Sequence, residues 1–319
     1  MQWFEQLPFI VSQCIVLMSV FILKTLITRF SDVEPLHIFA FFCRQLAEKV
    51  NKPDRNSERQ QVISGLVSIF ITLPPIVIIL WLFEDFVLVP ELWQAMLLYF
   101  AIGGFGLKSK STQIAQAIRG QNNYKAKQLA QSMLLRKTDN LSPLGLSKAN
   151  IEAQILHFLQ QQFVVVIIFL STDALVAICY RLLLEMHHQW NVKQPDFNHF
   201  GKPIRIVVNL ITWLPSRILG IMLLLTTIGQ NFLLKWRLSR GHFFVLNNDF
   251  LVHLFALALG TNLGGVAMYQ DKKVRRVSFN DSAKPSDIND IANANKQVLT
   301  LQLFTIIIGA FFVSLAIVS

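Results

Sequence analysis

The chain has 319 residues, of which 53% are hydrophobic and 15% charged, against about 45–50% and about 25% in ordinary soluble domains. So apolar a composition excludes a disordered chain, and three cysteines without a pairing pattern, Cys14, Cys43 and Cys179, exclude a disulfide scaffold. The net charge of +10 comes from basic residues that lie between long apolar runs. That placement favours a membrane protein over a nucleic-acid-binding protein.

Six apolar runs approach the roughly 20 residues that a helix needs to cross a bilayer. They are residues 9–23, 62–83, 92–107, 163–180, 207–228 and 298–318. The sequence therefore predicts an all-α polytopic membrane protein with about six transmembrane helices, built as a single integral membrane domain over residues 1–319.

Loop charge predicts the orientation, because cytoplasmic loops are enriched in Lys and Arg. Residues 24–61 carry seven such residues, 108–162 carry eight and 229–297 carry nine, whereas 84–91 carry none and 181–206 carry four. Alternation then puts the three large basic loops in the cytoplasm of a bacterial cell, with the protein in the inner membrane. The helical spacing of apolar residues within 108–162 predicts that these large loops are themselves helical.

A seventh apolar stretch, residues 250–268, is interrupted by His253 and by Gly260, Gly264 and Gly265. We interpret it as a re-entrant or interfacial segment and not as a span.

Arg217 follows Pro215 in the middle of the fifth apolar run, and ionisable groups at membrane depth are functional candidates. A proline kink beside a fixed cation suits a phosphate or carboxylate ligand. Two structural alternatives remain open, which are pairing with Asp173 and extension of the side chain to the membrane surface. No histidine cluster has metal-ligand spacing, so the sequence predicts no metal site.

Residues 255–265, with the sequence FALALGTNLGG, precede Tyr269, Arg276, Asp281 and Asp290. This segment resembles the C-terminal signature of the CobD/CbiB family of cobalamin-biosynthesis membrane proteins. Upstream elements resemble the family's motifs in the same order. They are Lys108-Ser109, Ala126-Lys127, the segment from Arg136 to Thr138, Glu152, Tyr180-Arg181, Phe200-Gly201 and Leu214-Pro215-Ser216-Arg217.

The resemblance implies adenosylcobinamide-phosphate synthesis, in which ATP drives amide formation between adenosylcobyric acid and aminopropanol or its phosphate. It implies ATP and Mg²⁺ as cofactors and a corrinoid as substrate. The expected partners are these substrates, membrane lipid and other corrinoid-assembly proteins, with no nucleic acid.

The same resemblance suggests roles for individual residues. Glu152, Arg136 and Asp281 are the catalytic candidates. The candidates for substrate binding are Lys108, Ser109, Lys127, Thr138, Arg181, Arg217, Gly264, Gly265, Tyr269 and Arg276.

The chain also departs from the family pattern. Lys137 replaces the carboxylate of a G-R-D-T element, and residues 156–161, LHFLQQ, replace an acidic E-N-x-x-D-G element. These losses weaken an expected Mg²⁺ site, since Mg²⁺ prefers carboxylate and phosphate oxygens. They also bring the middle of the chain closer to the AmpE branch of the superfamily. The alternative function is therefore that of an AmpE-like, non-catalytic inner-membrane sensor or modulator linked to cell-wall signalling.

Overall fold

The computed structural model describes residues 9–28, 30, 35–134, 138–229, 231–269 and 272–318. Helices dominate these ranges. In chain order they are α1 (Phe9–Ile27), α2 (His37–Val50), α3 (Glu58–Glu84), α4 (Pro90–Ala101), α5 (Leu107–Arg119), α6 (Asn123–Gln131), α7 (Pro143–His157), α8 (Val164–Ser171), α9 (Ala174–Gln189), α10 (Lys202–Leu225), α11 (Phe232–Ser239), α12 (Asp249–Leu259) and α13 (Ile288–Val318). A π-helical turn, Phe158–Phe163, joins α7 to α8, and short 3₁₀ turns occupy Pro195–Phe197 and Arg240–His242.

Three helices among the described residues are long and apolar enough to cross a membrane. They are α3, the continuous helix Pro143–Ser171 and α10. Helix α3 has the surface expected for lipid contact, because only 11% of the residues in its apolar 18-residue stretch are buried in the protein. Its buried face is a narrow stripe of small and polar residues, Gln61, Gly65, Ser68 and Thr72. The chain is thus a mostly helical protein with membrane character, while the predicted number of six spans is not confirmed.

The alternation of loops predicted from charge is wrong at residues 181–206. The Trp190 indole donates to the Cys43 carbonyl at 3.0 Å, and the Asn51 amide donates to the Asp196 carbonyl at 2.7 Å. His199 also lies 3.5 Å from the Glu58 carboxylate. Two segments that charge assigned to opposite sides of the membrane are therefore in contact with each other.

Helix α9 explains this difference. It follows α8 directly and returns the chain through the interior, where it packs against α4, α10 and α2. It carries Arg181 and Glu185, and the Arg181 side chain is only 3% exposed. These charges interrupt the apolar pattern in the sequence, so the second half of the helix is not recognisable as part of an apolar run. In the fold, the surrounding protein encloses them.

The prediction of an all-α protein is corrected by a small sheet near the C-terminus. Strands β1 (Thr261–Tyr269) and β2 (Lys272–Phe279) pair antiparallel, with an irregularity between Gly264 and Val266. A short β3 (Lys284–Pro285) pairs parallel to β1.

This sheet also changes the interpretation of residues 250–268. The first part of the stretch is helix α12, which ends at Gly260, a residue with φ of 64°. Gly264 and Gly265 have φ of 73° and 80°. Glycine adopts such values readily, so these residues stop the helix and shape a bulged hairpin.

Candidate functional site

Glu152 lies on α7, a helix that begins with Pro143 behind the Ser142 cap, whose side chain accepts from the Gly145 N–H. The Glu152 carboxylate is buried and faces the β1–β2 hairpin. Its Oε2 accepts from Arg276 Nη1 at 2.8 Å and its Oε1 from Arg276 Nη2 at 3.3 Å. This two-point ion pair fixes the hairpin on α7.

The bulge of the hairpin completes the coordination of Glu152. The Gly264 N–H donates to Oε1 at 2.8 Å, and Arg276 Nε donates to the Gly265 carbonyl at 3.3 Å. A Cβ at residue 264 would lie 2.1 Å from the Val277 carbonyl oxygen. Only glycine fits there, which gives the first glycine of the Gly264-Gly265 pair a steric cause.

A series of side-chain hydrogen bonds also connects Lys148 of α7 to the same hairpin. Lys148 Nζ donates to Asn262 Oδ1 at 2.6 Å, and Asn262 Nδ2 donates to Asp281 Oδ1 at 2.9 Å. The Ser278 hydroxyl also donates to Asp281 Oδ1. Lys148 was not among the residues predicted from the sequence, although its position four residues before Glu152 places both on one face of α7.

The candidate residues Glu152, Gly264, Gly265, Arg276 and Asp281 are therefore brought together, with Lys148 added. We call this group, including Asn262, the hairpin cluster. It combines two cations, two carboxylates and a glycine turn. Tyr269 ends β1, where its backbone is paired with Lys272.

The remaining candidates lie elsewhere. Lys108 and Ser109 are exposed in the first turn of α5. Lys127 and Thr138 are neighbours, since the Thr138 hydroxyl donates to the Lys127 carbonyl at 2.9 Å; the Lys127 ammonium donates to the Asp139 carbonyl. Arg136 lies outside the described residues.

Arg181 is buried in the helical interior. Its Nη1 lies 3.4 Å from Glu185 Oε2, and its Nη2 lies 3.4 Å from the position that a Cβ on Gly103 would take. This arginine is thus placed among the packed helices and not at the hairpin cluster.

Arg217 contacts the backbone of the segment that links α11 to α12. Its Nε donates to the Phe243 carbonyl at 2.7 Å and its Nη1 to the Asn247 carbonyl at 2.7 Å. Its Nη2 donates to the carbonyls of His242 and Val245, and Ser216 Oγ accepts at 2.6 Å.

The pairing of Arg217 with Asp173 is therefore corrected, while its contact with a phosphate stays a prediction. Its donors are used by carbonyl and hydroxyl oxygens of the chain. Asp173 instead caps α9, accepting from the Val176 N–H at 2.8 Å.

The segment that replaces the acidic family element forms neutral contacts. The His157 ring lies 3.1 Å from the Met133 carbonyl and 2.8 Å from Gln161 Nε2, and the Gln161 carbonyl accepts from the Gly103 N–H at 3.0 Å. These residues lie at the junction of α7 and the π-helical turn, and they bring no carboxylate there.

The chain matches the family model described as CobD/Cbib protein over residues 17–298. Among curated proteins, it is 24% identical over 236 residues to "Cobalamin biosynthesis protein CobD" of Chromobacterium violaceum, covering 74% of this chain and 75% of that one. A protein of the same name from Stutzerimonas stutzeri is 23% identical, covering 69% and 73%. One from Leptospira interrogans serovar copenhageni is 22% identical, covering 82% and 87%. No solved structure matches the chain. Because the family model covers most of its length, the chain belongs to the CobD/CbiB family.

Proposed function

We propose that this protein acts in cobalamin biosynthesis as an adenosylcobinamide-phosphate synthase. In this reaction the carboxylate of adenosylcobyric acid is activated by phosphoryl transfer from ATP. The amine of aminopropanol phosphate then displaces phosphate to form the amide. Family membership and the name carried by the relatives support the pathway. The observation that carries the proposal is the Glu152–Arg276 ion pair, which organises the family's glycine signature.

In this proposal the hairpin cluster binds the anionic part of a substrate. Arg276 and Lys148 supply positive charge, and charge-assisted hydrogen bonds to phosphate or carboxylate are about twice as strong as neutral ones. Glu152 positions Arg276. Asp281, at the outer end of the cluster, is the group available to the incoming amine.

The described residues do not form a metal site from protein side chains alone. They contain no group of three His, Cys, Asp or Glu side chains that could hold a metal, and both oxygens of Glu152 already accept hydrogen bonds. ATP and Mg²⁺ remain part of the proposal as reagents that the assay supplies.

The test is product formation by the protein reconstituted in lipid, with ATP, Mg²⁺, adenosylcobyric acid and aminopropanol phosphate. We expect an amide product, detected by mass, and a large loss of product with Arg276→Ala. Arg275→Ala is the matched control, because Arg275 is an exposed neighbour on the same strand. Absence of product under conditions where a CobD relative is active would reject the proposed reaction.

A second candidate is an AmpE-like modulator without catalytic activity. The neutral contacts of His157 and Gln161, where the resemblance expects acidic residues, favour it. Such a protein would show no thermal stabilisation by adenosylcobyric acid but a shift with a cell-wall fragment, because only a ligand of the folded state raises stability.

We further propose that the protein resides in the bacterial inner membrane as a multi-pass protein, with the hairpin cluster on the cytoplasmic side and other corrinoid-assembly proteins as partners. The basic residues of loops 108–162 and 229–297 support this orientation. Accessibility of an engineered cysteine at Ser278 to a membrane-impermeant reagent, in intact cells against lysed cells, tests it.

A further inference from the structure

Residues 232–247, which include α11 and the 3₁₀ turn, expose an unusual amount of apolar surface. Phe244 is 83% exposed and Leu233 is 76% exposed, and Leu234, Leu238 and Leu246 are also exposed. We call residues 232–247 the linking segment, since it joins α10 to α12. These five side chains point away from the protein, whereas Trp236 and Phe243 pack inward.

The linking segment is at the same time basic. It carries Lys235, Arg237 and Arg240, and no Asp or Glu occurs from residue 229 to residue 248. Arg237 and Arg240 are exposed. Within the ranges that the structure describes, none of the three basic residues takes part in an ion pair.

The backbone of the linking segment suits an apolar environment. Irregular backbone in lipid is tolerated only where its polar groups are satisfied by protein. Here the Arg217 guanidinium satisfies the backbone by donating hydrogen bonds to four carbonyls, those of His242, Phe243, Val245 and Asn247. The carbonyls thus face the cation while Phe244 and Leu246 face outward.

The linking segment follows a candidate membrane helix closely in the chain, and this places it near the membrane surface. The segment begins seven residues after the end of α10, one of the candidate spans, and packs beside it. Trp236 anchors α11 inward, with its ring 6.2 Å from that of Phe250 in α12. Leucines exposed beside arginines on such an element suit the membrane interface, because long basic side chains can extend from an apolar surface to the headgroups.

We propose that the linking segment lies in the membrane interface and binds anionic phospholipid headgroups through Lys235, Arg237 and Arg240. Phe244 and the exposed leucines enter the acyl region, and the basic side chains extend to the phosphates. Arg217 is the buried group that allows the non-helical part of the segment to sit there. This inference does not rest on the proposed reaction.

The test uses the full chain in a mild detergent with equal amounts of phosphatidylglycerol and phosphatidylcholine, and native mass spectrometry counts the bound lipids. We expect selective retention of phosphatidylglycerol. The double variant Arg237→Gln/Arg240→Gln should lose selectivity by about fivefold for each charge. Both side chains are exposed, so the fold should be unaffected.

The matched control is Lys125→Gln/Arg275→Gln, which removes the same charge from exposed positions elsewhere, and it should keep the selectivity. Arg237→Lys/Arg240→Lys should also keep it, because the charge is conserved. Equal retention of both lipids by the unmodified protein, or an equal loss in the Lys125/Arg275 control, would overturn the proposal.

Discussion

Arg276 and Glu152 form an ion pair of 2.8 Å although 124 residues separate them in the chain. The contact joins strand β2 to helix α7, so it closes the hairpin onto the helical bundle. Because Glu152 also accepts the Gly264 N–H, one buried carboxylate holds both the side chain and the backbone of the hairpin.

Arg276→Ala should therefore destabilise the protein by about 3 kcal/mol, since removing one partner of a buried ion pair is strongly destabilising. Arg275→Ala, at an exposed position, should stay within about 0.5 kcal/mol of the unmodified protein. Urea unfolding in detergent measures both. Equal effects of the two substitutions would show that the ion pair does not fix the hairpin.

Gly264→Ala should cost about 3 kcal/mol, which combines a disfavoured positive φ with the clash against the Val277 carbonyl. Gly260→Ala is the matched comparison, because its φ is also positive but nothing lies within 4 Å of its Cβ position. We expect about 1 kcal/mol there. If thermal unfolding gives similar losses for both, steric contact at residue 264 is not the cause.

Arg217→Ala should lower stability by at least about 3 kcal/mol, because several carbonyls of residues 242–247 lose their donor. Arg217→Lys should recover only part of this, since an ammonium lacks the planar, five-donor fork. Limited proteolysis between residues 240 and 248 reports the local effect. Unchanged cleavage in Arg217→Ala would argue against the backbone contacts and in favour of a ligand at this residue.

Burial lowers the pKa of His187 to about 4, with positive charge on Lys193 and Arg205 adding to the effect. The folded state therefore binds fewer protons than the unfolded state between about pH 4 and pH 6.5. Stability should rise with pH through this window and fall as the medium is acidified. His187→Gln should reduce the slope of the urea midpoint against pH without abolishing it, because burial also lowers the pKa of His188. An unchanged slope would contradict the assignment.

Hydrophobic runs and loop charges were enough to predict a helical membrane protein, because the length of an apolar run is a property of one segment and does not depend on the rest of the fold. They failed at α9, whose Arg181 and Glu185 look solvent-exposed in sequence. Glu152, Gly264, Gly265, Arg276 and Asp281, which the family resemblance suggests as site residues, meet in the fold, while their roles stay predictions. The resemblance did not predict that Lys148 lies in this cluster or that Arg217 lies outside it.

The sequence by itself determined the membrane character, the family and the glycines that shape the hairpin, since each depends on composition or on the local conformation of one segment. Only the tertiary structure decided which charges meet. An arginine binds whichever oxygens the fold brings within reach, and those of Arg217 and Arg276 come from segments about 25 and 124 residues away along the chain.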